Sequence, residues 1–163
     1  VGASITDGPG FRYAIFVQGC SHHCPGCHNP HTHDPNGGHL QDVSEMIEAM
    51  GKDPMLSGVT LSGGEPFDQA GALLSVARAA REKGLELAAY TGYLYETLLA
   101  DTGDRRALLE LCDVLIDGPY IQSQRSLELN FRGSKNQRIL DVKKSLEANR
   151  AVLHTSPRWL GEY

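Results

Sequence analysis

Strand-like and helix-like stretches alternate along most of this chain, and that order constrains the fold more than any single residue. "RYAIFVQG" (12–19) is rich in aromatic and β-branched residues and reads as a buried strand. "SGVTLSGG" (57–64), "LELAAYTG" (85–92) and "DVLIDG" (113–118) read as the second, third and fourth strands. A helix is predicted over about 42–50. Asp42 and Glu45 make a capping-box-like start, Val43, Met46, Ile47 and Met50 share one face, and Gly51 stops it. A longer helix over about 67–83 carries Ala70, Leu73, Leu74, Ala77 and Ala80 on one stripe and ends at Gly84. Further helical stretches lie near 93–100 and 104–111, and "QRILDV" (137–142) and "AVLHT" (151–155) read as late strands in a hairpin. This order implies an α/β fold with a mainly parallel sheet and right-handed crossovers, in one domain over 1–163.

Composition narrows what such a sheet can serve. With 163 residues, 40% of them hydrophobic, the chain can fill one complete core. A net charge of −5 argues against a nucleic-acid surface, which needs clustered Lys and Arg. No apolar run reaches the length of a membrane span, and the visible start "VGASITDGPGF" holds no apolar signal core.

Ligands of parallel α/β sheets gather beyond the C-terminal ends of the strands. The unusual residues of this chain fall there. The first strand runs into Cys20, the second into Gly63-Gly64-Glu65-Pro66, the third into Thr91-Gly92-Tyr93 and the fourth into Asp117-Gly118-Pro119.

Cys20, Cys24 and Cys27 are spaced C-x3-C-x2-C in a loop, 19–39, rich in Gly, Pro, Asn and His. An odd cluster in a chain with only four cysteines is a poor disulfide framework. Cys112, in "LLELCDVLIDG", reads as a small buried core residue. Three thiolates suit either zinc completed by a histidine or an iron–sulfur cluster with one iron lacking a protein ligand. Six of the seven histidines lie between 22 and 39, so the spacing alone leaves both open.

"LSGGEP" sits at the end of the next strand. Its two glycines let backbone approach a ligand, Glu65 adds an anionic acceptor, and Pro66 suits a first helical turn. The cysteine spacing followed by GGEP resembles the radical S-adenosylmethionine enzymes. Within them the chain is similar to the activating enzymes that install a glycyl radical on a partner. "DGPGFR" (7–12) resembles their opening and "GCSHHCPGCHNP" (19–30) their cluster loop. Gly26 in "CPGC", with "YTGY", "LIDGPY" and "FRGSKNQRILDVKKSL", resembles the activators of anaerobic ribonucleoside-triphosphate reductase, over about residues 5–147.

The resemblance implies a cut-down, partial (β/α) barrel and a four-iron, four-sulfur cluster on Cys20, Cys24 and Cys27. It implies that the unique iron chelates S-adenosylmethionine, whose reductive cleavage yields a carbon radical that takes hydrogen from a partner glycine. The partner's glycine loop would then close the open edge of the sheet. By the same pattern Gly63, Gly64 and Glu65 contact the methionine amino end, and the backbone of Gly26, Cys27 and His28 lies near the adenine. Asp117 faces the cofactor and Arg132 pairs with its carboxylate. The plain alternatives are a turn residue for Asp117, a surface ion pair for Arg132, and helix caps for Thr91 and Tyr93.

His28 could tune the cluster, whereas His22, His23, His31, His33 and His39 read as exposed loop residues. Trp159, in the tail "TSPRWLGEY", is expected to pack on the domain. The resemblance also implies the glycyl radical subunit of the reductase as partner, a small electron donor such as flavodoxin or ferredoxin, and a cytoplasmic setting. Two rivals stand beside it: an activator of a pyruvate formate-lyase-type enzyme, and a non-catalytic Cys3His zinc module.

Overall fold

The computed structural model of the chain describes residues 3–4, 12–17, 56–63, 65–119, 136–156 and 159. Six strands form one sheet in chain order: β1 (Ala3–Ser4), β2 (Arg12–Val17), β3 (Gly58–Gly63), β4 (Glu86–Tyr90), β5 (Val114–Asp117) and β6 (Arg138–Asp141). β2 to β5 are parallel, and the two outer strands pair antiparallel. The fold is therefore α/β with a mostly parallel sheet, and among the described residues the sheet is open, with β1 and β6 at its edges.

All four anticipated inner strands are present, each two or three residues shorter than the stretch read for it. The helix expected over 67–83 divides: Pro66–Gln69 is a tight 3-10 turn, and α1 follows as Ala70–Glu82. Pro66 starts the tight turn, and the Glu65 carboxylate caps it by accepting from Phe67 N at 3.0 Å. α1 buries Ala70, Leu73, Val76, Ala77 and Ala80, while Leu74 is only half-buried at the margin of the stripe. Gly84, at φ 72°, takes the left-handed turn that ends it. α2 (Tyr95–Ala100) and α3 (Asp104–Leu111) match the two predicted helical stretches.

The late hairpin needs correction. β6 leads into a helix, α4 (Val142–Ala148), which Asp141 caps by accepting from Lys144 N at 3.1 Å and Asn149 ends at φ 54°. The chain then returns antiparallel onto β6. Asp141 N donates to Val152 O at 3.0 Å, and His154 N to Ile139 O at 2.8 Å. The two segments do pair, but across a helix, because Asp141 offers a cap and Val142 and Ser145 bury one face of a single short helix. The helix expected over 42–50, the cysteine loop and its histidines lie outside the described residues.

Alternation along the strands separates two faces. Val59, Leu61, Leu87, Ala89, Leu115 and Leu140 pack with residues of α1, α2 and α3 in the larger core. Ala88, Val114, Ile116 and Ile139 face the other way and pack with Trp159, which is fully buried as its tail position suggested. Among the described residues no helix is long and apolar enough to cross a membrane.

Candidate functional site

The C-terminal ends of β2, β3, β4 and β5 form one edge, because these strands are parallel and in register. Val17 and Gly63, the last residues of β2 and β3, are register partners. The strands that precede the three cysteines and Gly64-Glu65 in sequence therefore end side by side.

Glu65 is the centre of this edge among the described residues. Its side chain is fully buried. One carboxylate oxygen accepts from Phe67 N at 3.0 Å and from the Thr91 hydroxyl at 2.8 Å, and the other accepts from Gly92 N at 2.7 Å. A single carboxylate thus ties the turn after β3 to the turn after β4. Bonds from backbone N–H to a carboxylate are charge-assisted and stronger than neutral ones. Thr91 extends the tie by accepting from Tyr93 N at 3.0 Å.

Tyr93 donates its hydroxyl to Asp68, and the Arg105 guanidinium stacks on its ring at 4.8 Å. Arg105 also donates to Phe67 O and to Asp68, both at 3.2 Å. Thr91 and Tyr93 therefore do not cap the following helix. Thr91 spends its hydroxyl on Glu65, and Tyr93 is committed to Asp68 and Arg105.

The N-terminus of α2 is served from another strand. Leu94 stands at the cap position with no side-chain bond, and Asp117 accepts from Tyr95 N at 2.8 Å. Asp117 is fully buried at the end of β5 and receives both Nε and Nη2 of Arg138, with Nε at 3.0 Å. Arg138 opens β6, and the antiparallel register sets it directly opposite Asp117. Its remaining donors go to exposed Glu96 on α2, at 2.8 Å and 3.4 Å. The carboxylates of Asp117 and then Glu96 hold the Arg138 guanidinium above its ordinary range. The bond from Arg138 holds Glu96 below the usual carboxylate range. Asp117 is thus an ion-pair and helix-capping residue in this structure.

Among the expected site residues, Gly63, Glu65 and Asp117 fall on the described edge. Cys20, Cys24, Cys27, Gly26, His28, Gly64 and Arg132 lie outside the described residues. Arg138 was not foreseen. The signal available was an arginine heading an apolar strand opposite an aspartate, which is visible only once the antiparallel register is known.

Cys112 stands apart from this edge. It is buried, its thiol lies 3.4 Å from Leu108 O, and burial pushes its pKa up to about 12. At pH 8 its thiolate fraction is then on the order of one in ten thousand. Cys112 is expected to resist alkylation in the folded chain and to react on unfolding, as peptide mass mapping would read. Labelling at pH 8 without denaturant would contradict the burial.

A family model described as "4Fe-4S single cluster domain" matches residues 6–140. An anaerobic ribonucleoside-triphosphate reductase-activating protein of Vibrio cholerae is 37% identical over 143 residues, covering 83% of this chain and 90% of that protein. The protein of the same name from Escherichia coli K12 is 33% identical over 141 residues, covering 82% of this chain and 90% of its own length. That of enterobacteria phage T4 is 34% identical over 144 residues, covering 83% and 86%. Matches of this extent show that the chain belongs to the 4Fe-4S single cluster domain family and to the family of the anaerobic ribonucleoside-triphosphate reductase-activating proteins.

Proposed function

We propose that this chain is an activating enzyme that holds a [4Fe-4S] cluster on Cys20, Cys24 and Cys27 and cleaves S-adenosylmethionine to place a glycyl radical on anaerobic ribonucleoside-triphosphate reductase. The observation that carries this reading is that the strands preceding the cysteine loop and the GGEP turn in sequence end at register partners, Val17 and Gly63. The names of the relatives supply the partner. When bound, the cluster and S-adenosylmethionine supply a one-electron cleavage of a sulfur–carbon bond and the removal of a glycine Cα hydrogen. The electron comes from a small donor of the flavodoxin or ferredoxin kind, in the cytoplasm.

The chain's own groups position and shield that chemistry. Gly63 and Gly64 have no side chain to keep a ligand from the backbone, and with Glu65 they receive the amino end of the cofactor. Glu65 fixes the turn through its bonds to Phe67 N, Thr91 and Gly92 N. Gly26, Cys27 and His28 line the adenine side, and Arg132 takes the carboxylate. Asp117 shapes the β5 end of the cofactor edge while paired to Arg138. One domain over 1–163, a cut-down partial barrel, fits the sequential order of the four parallel strands and the small or polar residues Ala14, Thr60 and Ala88, all fully buried along them.

Anaerobically purified protein is expected to be brown with about four irons per chain. Mixed with reductant, S-adenosylmethionine and the reductase, it is expected to give a glycine-centred radical by electron paramagnetic resonance. Colourless protein with one zinc would instead establish the Cys3His module. Radical formation only on a pyruvate formate-lyase-type partner would reassign the target. Gly64→Val is expected to keep its iron and to bind S-adenosylmethionine at least about tenfold more weakly, because the new side chain blocks backbone approach. Unchanged affinity in equilibrium dialysis would remove Gly64 from the site.

A further inference from the structure

Charged groups are also buried at the opposite end of the sheet. Arg12, Gly58 and Glu86 open β2, β3 and β4 and are register partners. The Arg12 guanidinium crosses the middle strand where Gly58 leaves room; a Cβ there would lie 2.5 Å from its central carbon. It donates to Thr60 Oγ1 at 2.7 Å, Val59 O at 3.2 Å, Glu86 O at 2.9 Å and Glu86 Oε1 at 2.9 Å.

Trp159 arrives from the far end of the chain. Its ring lies 5.3 Å from the Arg12 guanidinium, and its Nε1 donates to Glu86 Oε1 at 3.2 Å. It is fully buried against Ala88, Val114, Ile116 and Ile139, the sheet face turned away from α1 and α3.

Filling a core needs neither a buried guanidinium nor a hydrogen-bonded indole. Apolar side chains do it without desolvating charge. The cluster joins three strand starts to one tail residue, and its cation, carboxylate and indole satisfy one another where the strands begin. We propose that Trp159, Arg12 and Glu86 form a solvent seal at the N-terminal end of this face, closed by the Trp159 ring. On the function proposed above, the seal keeps solvent and small reductants from the face that leads to the site.

The test is amide hydrogen exchange on the full chain, with or without iron, in wild type, Trp159→Phe and Trp159→Ala. Trp159→Ala is expected to lower protection at least about tenfold at the amides of Ala88, Leu115 and Ile116, and much less in α1. Trp159→Phe, which keeps a ring over the face, is expected to lose less than about threefold. Unchanged exchange in Trp159→Ala, or an equal loss in α1, would make the residue ordinary core and overturn the seal.

Should Trp159→Ala fail to fold, wild type decides. Trp159 is the one tryptophan of the chain, so acrylamide quenching reads it alone. Quenching at least about fivefold weaker than in the urea-unfolded chain supports a closed seal, and equal quenching overturns it. Neither readout depends on radical chemistry, so failure of the seal and failure of the proposed activity are separable.

Discussion

Cys24→Ala is expected to abolish both iron binding and radical formation while the chain keeps its secondary structure. On the proposed ligand set, the variant keeps two of the three thiolates that would hold the cluster, too few to retain it. The sheet and its larger core draw on residues outside the loop: Val59, Leu61, Leu87, Leu115 and Leu140 pack with α1, α2 and α3. The variant should therefore show wild-type far-ultraviolet circular dichroism, no visible absorption band near that of the wild-type cluster, and no glycyl radical on the partner. A visible spectrum like that of wild type would show that Cys24 is not a ligand and that other residues hold the iron.

The second large effect is expected at Glu65. Glu65→Ala leaves Phe67 N, the Thr91 hydroxyl and Gly92 N without the carboxylate they share. A buried donor left unsatisfied costs about 1–3 kcal/mol, and the three losses overlap, so the total is on the order of 3 kcal/mol or more. For a chain of this size that corresponds to a fall in Tm of roughly 6–12 °C. Glu65→Gln keeps the length but turns an amide NH2 toward N–H groups, and should lie between wild type and Glu65→Ala. If Gly63 and Gly64 receive the cofactor as proposed, both variants should also bind S-adenosylmethionine more weakly, because the turn after β3 is no longer tied to the turn after β4. Thermal unfolding followed beside equilibrium dialysis separates the two roles. A loss of affinity with Tm unchanged would mean that Glu65 acts on the ligand alone and that its bonds within the chain carry little.

Much of this architecture was legible because its signals are local. Each inner strand is a short apolar run ending near glycine or a polar turn, and the stripe from Ala70 to Ala80 fixes one helix by its period. The placement of the Glu65 turn at a strand end was equally readable, since it depends only on where "GVTLSG" stops. The unread features depend on partners distant in sequence. β1 has two residues and no periodicity to see. α4 has seven, and its cap Asp141 belongs to the preceding strand. The Asp117–Arg138 pair exists only in the antiparallel register of β5 and β6. Asp117, expected to face a cofactor, is engaged in that pair and also holds the start of α2. The partners of Arg12, Glu86 and Trp159, lie 74 and 147 positions away and leave no local trace around it.

The strand order β1-β2-β3-β4-β5-β6 bears on biosynthesis. Each strand hydrogen-bonds to the one made just before it, so every ladder can zip as its second member clears the ribosome, with no early segment waiting long for a late one. Trp159 breaks the pattern: it meets Arg12, 147 positions earlier in the chain (159 − 12), only after all six described strands have been made. A nascent chain stalled before that residue should carry paired strands yet leave Arg12 and Glu86 wet, and limited proteolysis of stalled chains would date the final closure.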